Sequence, residues 1–289
     1  MTPTVQEFYH KPTYTFSYVV RDPHSSAALI VDPVLDYDHK SGRTGTASAE
    51  AIAAFIEDNG LAAEWILETH AHADHLTAAP YLKERLGARI GIGEGIRTVQ
   101  EQFRSVFNLK DLATDGSQFD RLFADGDTLA VGSLSVRVMN TPGHTRDSVT
   151  YVIGDAAFIG DTKFSPDYGT ARVDFPGGDA TLLYRSIRKL LSLPPETRLF
   201  LCHDYPPEGR SETPSFTVAQ QREGNVHIHD GVSEEEFVSM RESRDATLSM
   251  PALIVPSVQI NLRAGRFPAP EDNGIAYIKV PLNALGRPL

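Results

Sequence analysis

Cysteine is almost missing from this chain: Cys202 is its single example in 289 residues. One thiol excludes an internal disulfide and fits a reducing compartment, so a cytoplasmic setting is expected. Long apolar runs are missing too. None approaches the roughly 20 residues that span a bilayer, and the opening "MTPTVQEFYHKPTY" lacks the charged-then-apolar pattern of a secretory signal. No membrane partner is expected. Basic residues are in deficit, with 27 Lys and Arg against 38 Asp and Glu and a formal charge of −11. That balance argues against nucleic acid as a partner, because such binding rests on clustered cations that neutralise phosphates. Low-complexity tracts and internal repeats are absent as well. What remains is 41% hydrophobic and 22% charged, ordinary globular usage in a length that holds one large core or two small ones.

The pattern along the chain alternates strand and helix. "TYTFSYVV" (13–20) and "AALIVDPV" (27–34) read as paired strands. "SAEAIAAFIEDNG" (48–60) reads as a helix capped by Ser48, with Ile52, Phe55 and Ile56 on one face and Gly60 at its end. A short strand (63–69), a helix (77–88), the strand "RIGIG" (89–93) and a helix (94–107) follow. Strands dominate from about 119 to 160, including a hairpin around Gly154-Asp155. "DATLLYRSIRKLLSL" (179–193) is a helix by its Leu183, Ile187, Leu190 and Leu191 stripe, and "RLFLC" (198–202) a last buried strand. After Pro206 the chain turns polar and loop-rich, with a helical stretch at 233–248. Helices mixed with parallel and hairpin-linked strands predict a layered α/β body.

One stretch breaks the ordinary pattern. "THAHADHLTAA" (69–79) places His70, His72, Asp74 and His75 within six positions, directly after a buried strand. Imidazole nitrogen with carboxylate oxygen suits Zn, Fe(II) or Mn. The plain alternative is a polar helix entry with Asp74 near a helix N-terminus, which suffices for one histidine but not for this cluster. Three further candidates sit just past apolar strands: His144 in "NTPGHTRDS", Asp161 in "AFIGDTKF" and His203 in "LFLCHDY". Ligands on separate loops above a rigid sheet are a common way to build an active site. By contrast, His227 and His229 read as structural, and His10, His24 and His39 as solvated. Cys202, adjacent to His203 on a strand, is expected to face the other way as a buried strand cysteine.

The order H-x-H-x-D-H … H … D … H, here His70, His72, Asp74, His75, His144, Asp161 and His203, resembles the metallo-β-lactamase superfamily over about residues 13–205. That resemblance implies an α/β fold, an αββα sandwich of two mixed sheets flanked by helices with metal at one edge. The whole of 1–289 would form one domain, with a catalytic body at about 13–205 and a family-specific extension at about 206–289. Residues 166–205, 216–241 and 255–265 are similar to the persulfide dioxygenases, particularly their bacterial β-lactamase-like branch. Glyoxalase II enzymes share the histidine motif but not this C-terminal segment.

Counted simply, seven ligands make two zinc sites: His70, His72 and His144; Asp74, His75 and His203; Asp161 between them. That is a hydrolase arrangement, and a dinuclear zinc thioester hydrolase of glyoxalase II type is the alternative reading. The persulfide dioxygenase resemblance implies instead one Fe(II) on His70, His144 and Asp161, a facial triad with open positions. His72, Asp74, His75 and His203 would then orient ligands and water. The implied reaction oxidises glutathione persulfide with O2 and water to sulfite and glutathione, as in sulfide detoxification. Tyr205 would offer a phenolic hydrogen bond. Arg172 and Arg263 are the candidates for the carboxylates of glutathione, although Arg172 equally suits a brace to Asp174. The chain departs from some family members at Ala264, where they carry cysteine, and at His227, where others carry arginine. A metal-bound sensor of reactive sulfur is the weakest reading. Related folds form edge-to-edge homodimers, which the resemblance admits here.

Overall fold

Strand β1 (Thr4–His10) lies antiparallel to β2 (Thr15–Arg21), which pairs with β3 (Ala27–Val31). The computed structural model describes residues 2–285, so residues 1 and 286–289 of the expected unit lie outside it. After β4 (Val34–Asp38) and β5 (Arg43–Gly45), helix α1 (Ala47–Asp58) leads into β6 (Ala62–Leu67). Next come β7 (Leu76–Thr77), α2 (Ala79–Leu86), β8 (Arg89–Gly93), α3 (Ile96–Phe107) and β9 (Arg121–Phe123). The first mixed sheet runs β1-β2-β3-β6-β8-β9, with β3, β6, β8 and β9 parallel.

The second sheet is built from β10 (Thr128–Val131), β11 (Leu134–Asn140), β12 (Val149–Ile153), β13 (Ala156–Phe158), β14 (Arg198–Phe200) and β15 (Ser215–Thr217), in that order. Helix α4 (Ala180–Leu190) crosses between β13 and β14, which are consequently parallel. Helices α5 (Val218–Gly224), α6 (Glu234–Asp245) and α7 (Ile254–Asn261) complete the chain.

Alternation along the strands sorts the side chains into three apolar layers. Phe16, Tyr18, Leu29 and Trp65 of the first sheet meet Val136, Tyr151, Phe158 and Phe200 of the second between the sheets. Ile30, Ile66 and Ile90 face outward under Ile52, Leu82, Phe103 and Val258 of the helices. Val152 and Leu199 face Leu183, Ile187 and Phe237 on the far side. The result is the expected αββα layering. Among the described residues no helix is long and apolar enough to cross a membrane.

Three expectations change. Ser48 does not cap α1: the cap position is Thr46, and the Ser48 hydroxyl and amide both donate to Asp36 (2.7 and 2.9 Å). The side chain of Asp36 thus reaches the helix start from β4. Strand β1 was not expected, because "TVQEFYH" is a half-buried edge with no clean two-residue period. His10, at its end, is not solvated; its Nδ1 lies 2.7 Å from Thr13 Oγ1 and its Nε2 3.4 Å from Asp36.

Candidate metal centre

The loop after β6 carries the first four candidates, and its backbone is fastened from three directions. Asp32 sits just past β3 with φ +48°, an unusual left-handed conformation for a residue with a Cβ. From there its carboxylate accepts hydrogen bonds from Thr69 N (2.7 Å) and Thr69 Oγ1 (2.8 Å) and lies 3.0 Å from His72 Nε2. Asp147 accepts from Ala71 N (2.8 Å). Asn261 donates to the carbonyls of His72 and His75 and accepts from Thr77 N. Asp161 enters from the other sheet on the short 3₁₀ turn Gly160–Thr162. Gly160 is required there, because at φ +51° a Cβ would stand 2.6 Å from Thr69 Oγ1.

These anchors also fix the tautomers. Thr69 Oγ1 donates to Asp32, so it accepts from His70 Nδ1–H (3.0 Å). His144 Nδ1–H donates to the Arg172 carbonyl (2.8 Å). Both rings therefore turn Nε2 toward Asp161, at 3.9 and 3.6 Å from its Oδ2. The ligand atoms of His70, His144 and Asp161 all lie within 4.8 Å of one another. His72, Asp74 and His75 form a neighbouring group by the same measure. His203 Nε2 lies 2.9 Å from Asp74 and 3.4 Å from Asp161 Oδ1, so Asp161 faces both groups.

His70 Nε2, His72 Nδ1 and His75 Nε2 are buried without a hydrogen-bond partner. A buried polar atom left so costs about 1–3 kcal/mol, and here they converge. That is the signature of a set of donors suited to a cation. Burial, reinforced by His72 and His144, holds His70 well below the ordinary imidazole range. Burial likewise takes His75 to about 4. Both are neutral donors at pH 7. Burial also opposes a proton on His72 and on His203, but Asp32 and Asp74 respectively outweigh it and raise both. Asp74, against its own burial, is held well below the carboxylate range by His203.

The family model described as the metallo-beta-lactamase superfamily matches residues 10–203. The chain belongs to that superfamily. It is 56% identical to a probable metallo-hydrolase of Burkholderia pseudomallei, over 98% of this chain and 100% of that one. It is 49% identical to Glyoxylase B2 of Dictyostelium discoideum, over 97% of each. Human persulfide dioxygenase ETHE1 is 30% identical over 90% of this chain and 88% of its own. The crystal structure of ETHE1 from Myxococcus xanthus superposes with a TM-score of 0.73 and 29% identity, covering 91% of this chain and 100% of that chain.

A cavity opens over the ligands. It holds about 290 Å³, and His144, Asp161, Phe175, Tyr205, Arg172 and Arg244 are among its lining residues. Arg172 is committed: its guanidinium grips Asp174 (2.6 and 2.7 Å) and the Ser249 carbonyl (2.6 Å), the bracing arrangement. Arg263 is not brought to the cavity; it pairs with Asp111 at 3.0 Å. The cation that sequence reading missed is Arg244, at the end of α6, which lines the cavity, is exposed and makes no ion pair among the described residues. Nothing in "MRESRDATL" singles it out from its charged neighbours. Tyr205 packs on Tyr168 (4.6 Å between centroids) and His203, and burial pushes its phenol far up, so it stays a donor.

Cys202 is buried as expected but does not face away from the centre. Strand β14 ends at Phe200, so the two-residue alternation does not extend to Cys202 and His203. The buried thiol lies with Asp161 and His203, and also with Asp32 and His72, each group within 4.8 Å. Burial raises its pKa, keeping it a thiol. His227 and His229 stay apart from the centre: His227 Nδ1 accepts from Thr170 N (3.0 Å), and His229 bonds the Asp230 carbonyl.

Proposed function

We propose that this chain is an iron-dependent persulfide dioxygenase that oxidises glutathione persulfide with O2 and water to sulfite and glutathione, in the cytoplasm. The observation that carries the reading is the convergence of His70 Nε2, His144 Nε2 and Asp161 below the cavity, while His72 gives its Nε2 to Asp32. Two imidazoles and one carboxylate leave coordination positions open for both sulfur and O2. A ferrous ion held there supplies the redox chemistry that zinc, with its single oxidation state, cannot. The likeness to human persulfide dioxygenase ETHE1 supports the same reading.

The chain's own residues divide the remaining work. Arg244 meets a substrate carboxylate at the rim by a charge-assisted, bidentate contact, a role for which it is the uncommitted guanidinium. Phe164 and Phe175 in the cavity wall exclude water around the reacting sulfur. Tyr205 donates its phenolic proton as a hydrogen bond into the cavity. His72, Asp74, His75 and His203 hold the charge balance of the centre.

A dinuclear zinc thioester hydrolase is the second reading. It is favoured by Asp161 facing both ligand groups and by the 49% identity to Glyoxylase B2. Oxygen uptake by the iron-loaded protein with glutathione persulfide supports the dioxygenase. Thioester cleavage by the zinc-loaded protein without such uptake supports the hydrolase.

A further inference from the structure

The backbone from Thr170 to Val173 belongs to no helix or strand, yet Thr170, Ala171 and Arg172 line the cavity over the ligands. One carbonyl of this coil, that of Arg172, lies 2.8 Å from His144 Nδ1. That contact sets how the His144 ring presents its Nε2 to Asp161. A coil has no ladder of its own to keep such a carbonyl in place, so its backbone groups need other partners.

Helix α6 supplies them. Arg241 and Asp245 stand one turn apart on it, both buried, and Arg241 Nε and Nη2 donate to Asp245 Oδ1 at 3.0 and 2.6 Å. Each partner also reaches the coil. Arg241 Nη1 donates to the Thr170 carbonyl at 3.1 Å, and Asp245 Oδ2 accepts from Val173 N at 2.8 Å. The two bonds bracket residue 172 in sequence. Just ahead of them, Thr170 N donates to His227 Nδ1 at 3.0 Å.

An ion pair between residues one turn apart would ordinarily be explained as support for its own helix. Taking two charges out of water is unfavourable, however, and apolar residues of similar volume hold a helix as well or better. Phe237 of α6 already provides that kind of contact, packing with Leu183 and Ile187. What an apolar pair cannot do is hydrogen-bond the coil on both sides of residue 172. We propose that Arg241 and Asp245 are positioning residues for His144: by pinning the 170–173 backbone they place the Arg172 carbonyl, and through it the ring of a metal ligand. Arg241 borders the cavity, but at 1% exposure and with its nitrogens engaged it acts through the coil rather than on a substrate. The inference rests on His144 being a metal ligand, which the iron and zinc readings share.

The test needs no turnover. In the zinc-loaded full chain, histidine-ring NMR follows the His144 Nδ1–H, and chelator competition gives the zinc affinity. Asp245→Asn, and Arg241→Met combined with Asp245→Leu, are expected to weaken zinc binding about 10–100-fold. Both are expected to move the His144 Nδ1–H signal toward that of a solvent-bonded ring, with the His70 signal near the parent's. Phe237→Leu loosens α6 without touching the coil's hydrogen bonds, and is expected to lower stability while leaving the His144 signal and the affinity near parental. A parental His144 signal or a parental affinity in the paired variant overturns the proposal, as does an equal loss in Phe237→Leu. If Asp245→Asn fails to fold, the paired variant decides alone, since it leaves no buried charge unpaired. If neither folds, the pair serves the fold and the proposal falls. A parent that binds no zinc sinks His144 as a ligand, while the His144 signal of the metal-free protein still reports on the pair.

Discussion

Asn261 holds the carbonyl of His72 at 2.8 Å, with the same amide nitrogen reaching the carbonyl of His75 at 2.8 Å. Its Oδ1 accepts from Thr77 N at 3.0 Å, so one buried side chain of α7 fastens both ends of the ligand loop. The C-terminal helix is thereby part of the metal centre's support, although it supplies no ligand.

Replacing Asn261 with Ala removes three hydrogen bonds and strands two buried carbonyls. A stability loss of about 1–3 kcal/mol is expected, together with roughly 10–100-fold weaker metal binding because the ligands lose their fixed aim. Denaturant unfolding and metal titration of the same variant measure the two effects separately. Unchanged metal affinity would show that the loop holds its shape without α7.

Arg244 and Arg263 should separate cleanly. Arg244→Gln is expected to raise KM for glutathione persulfide about tenfold with kcat little changed, since a rim contact is made equally in ground and transition states. Arg263→Gln, which breaks an ion pair with Asp111 outside the cavity, should leave both constants near the parent's. Steady-state oxygen uptake decides. An Arg263 effect larger than the Arg244 effect would reverse the assignment of the substrate end.

The metal-free protein should be most stable near the ordinary histidine range. His70 and His75 are held neutral by burial, His75 down to about 4, so the unfolded chain takes up their protons first as pH falls below about 6.5. Stability is then lost between about pH 6.5 and 4. His72 and His203 have the opposite sign. Raised in the folded state by Asp32 and Asp74, they contribute fully below about 6.5, and that contribution is lost as pH rises through their folded values. Thermal unfolding of chelator-treated protein from pH 4 to 9 checks this, and a Tm that climbs steadily across the range would contradict it.

The metal centre was legible because its ligands cluster in sequence at "HAHADH" and recur at strand ends. The layering followed from the family resemblance together with the alternation of β11 and the hairpin at Gly154-Asp155. What escaped reading has a common physical cause: it depends on contacts between distant segments. Asn261 is ordinary in a helix until it meets a loop 186 positions away. Arg244 is one charge among many until Arg172 and Arg241 are seen to be engaged with Asp174 and Asp245. His10 was misread because its partner, Asp36, lies across a sheet edge. Cys202 was misread because the strand stops two residues before it.

The central claim is a lone ferrous ion on His70, His144 and Asp161. Metal analysis of the parent, Asp161→Ala and His72→Ala after iron loading tests it most directly. The account predicts about one iron per chain in the parent, nearly none in Asp161→Ala and most of it retained in His72→Ala. Two metal ions per parent chain, or equal metal loss in the two variants, would contradict it.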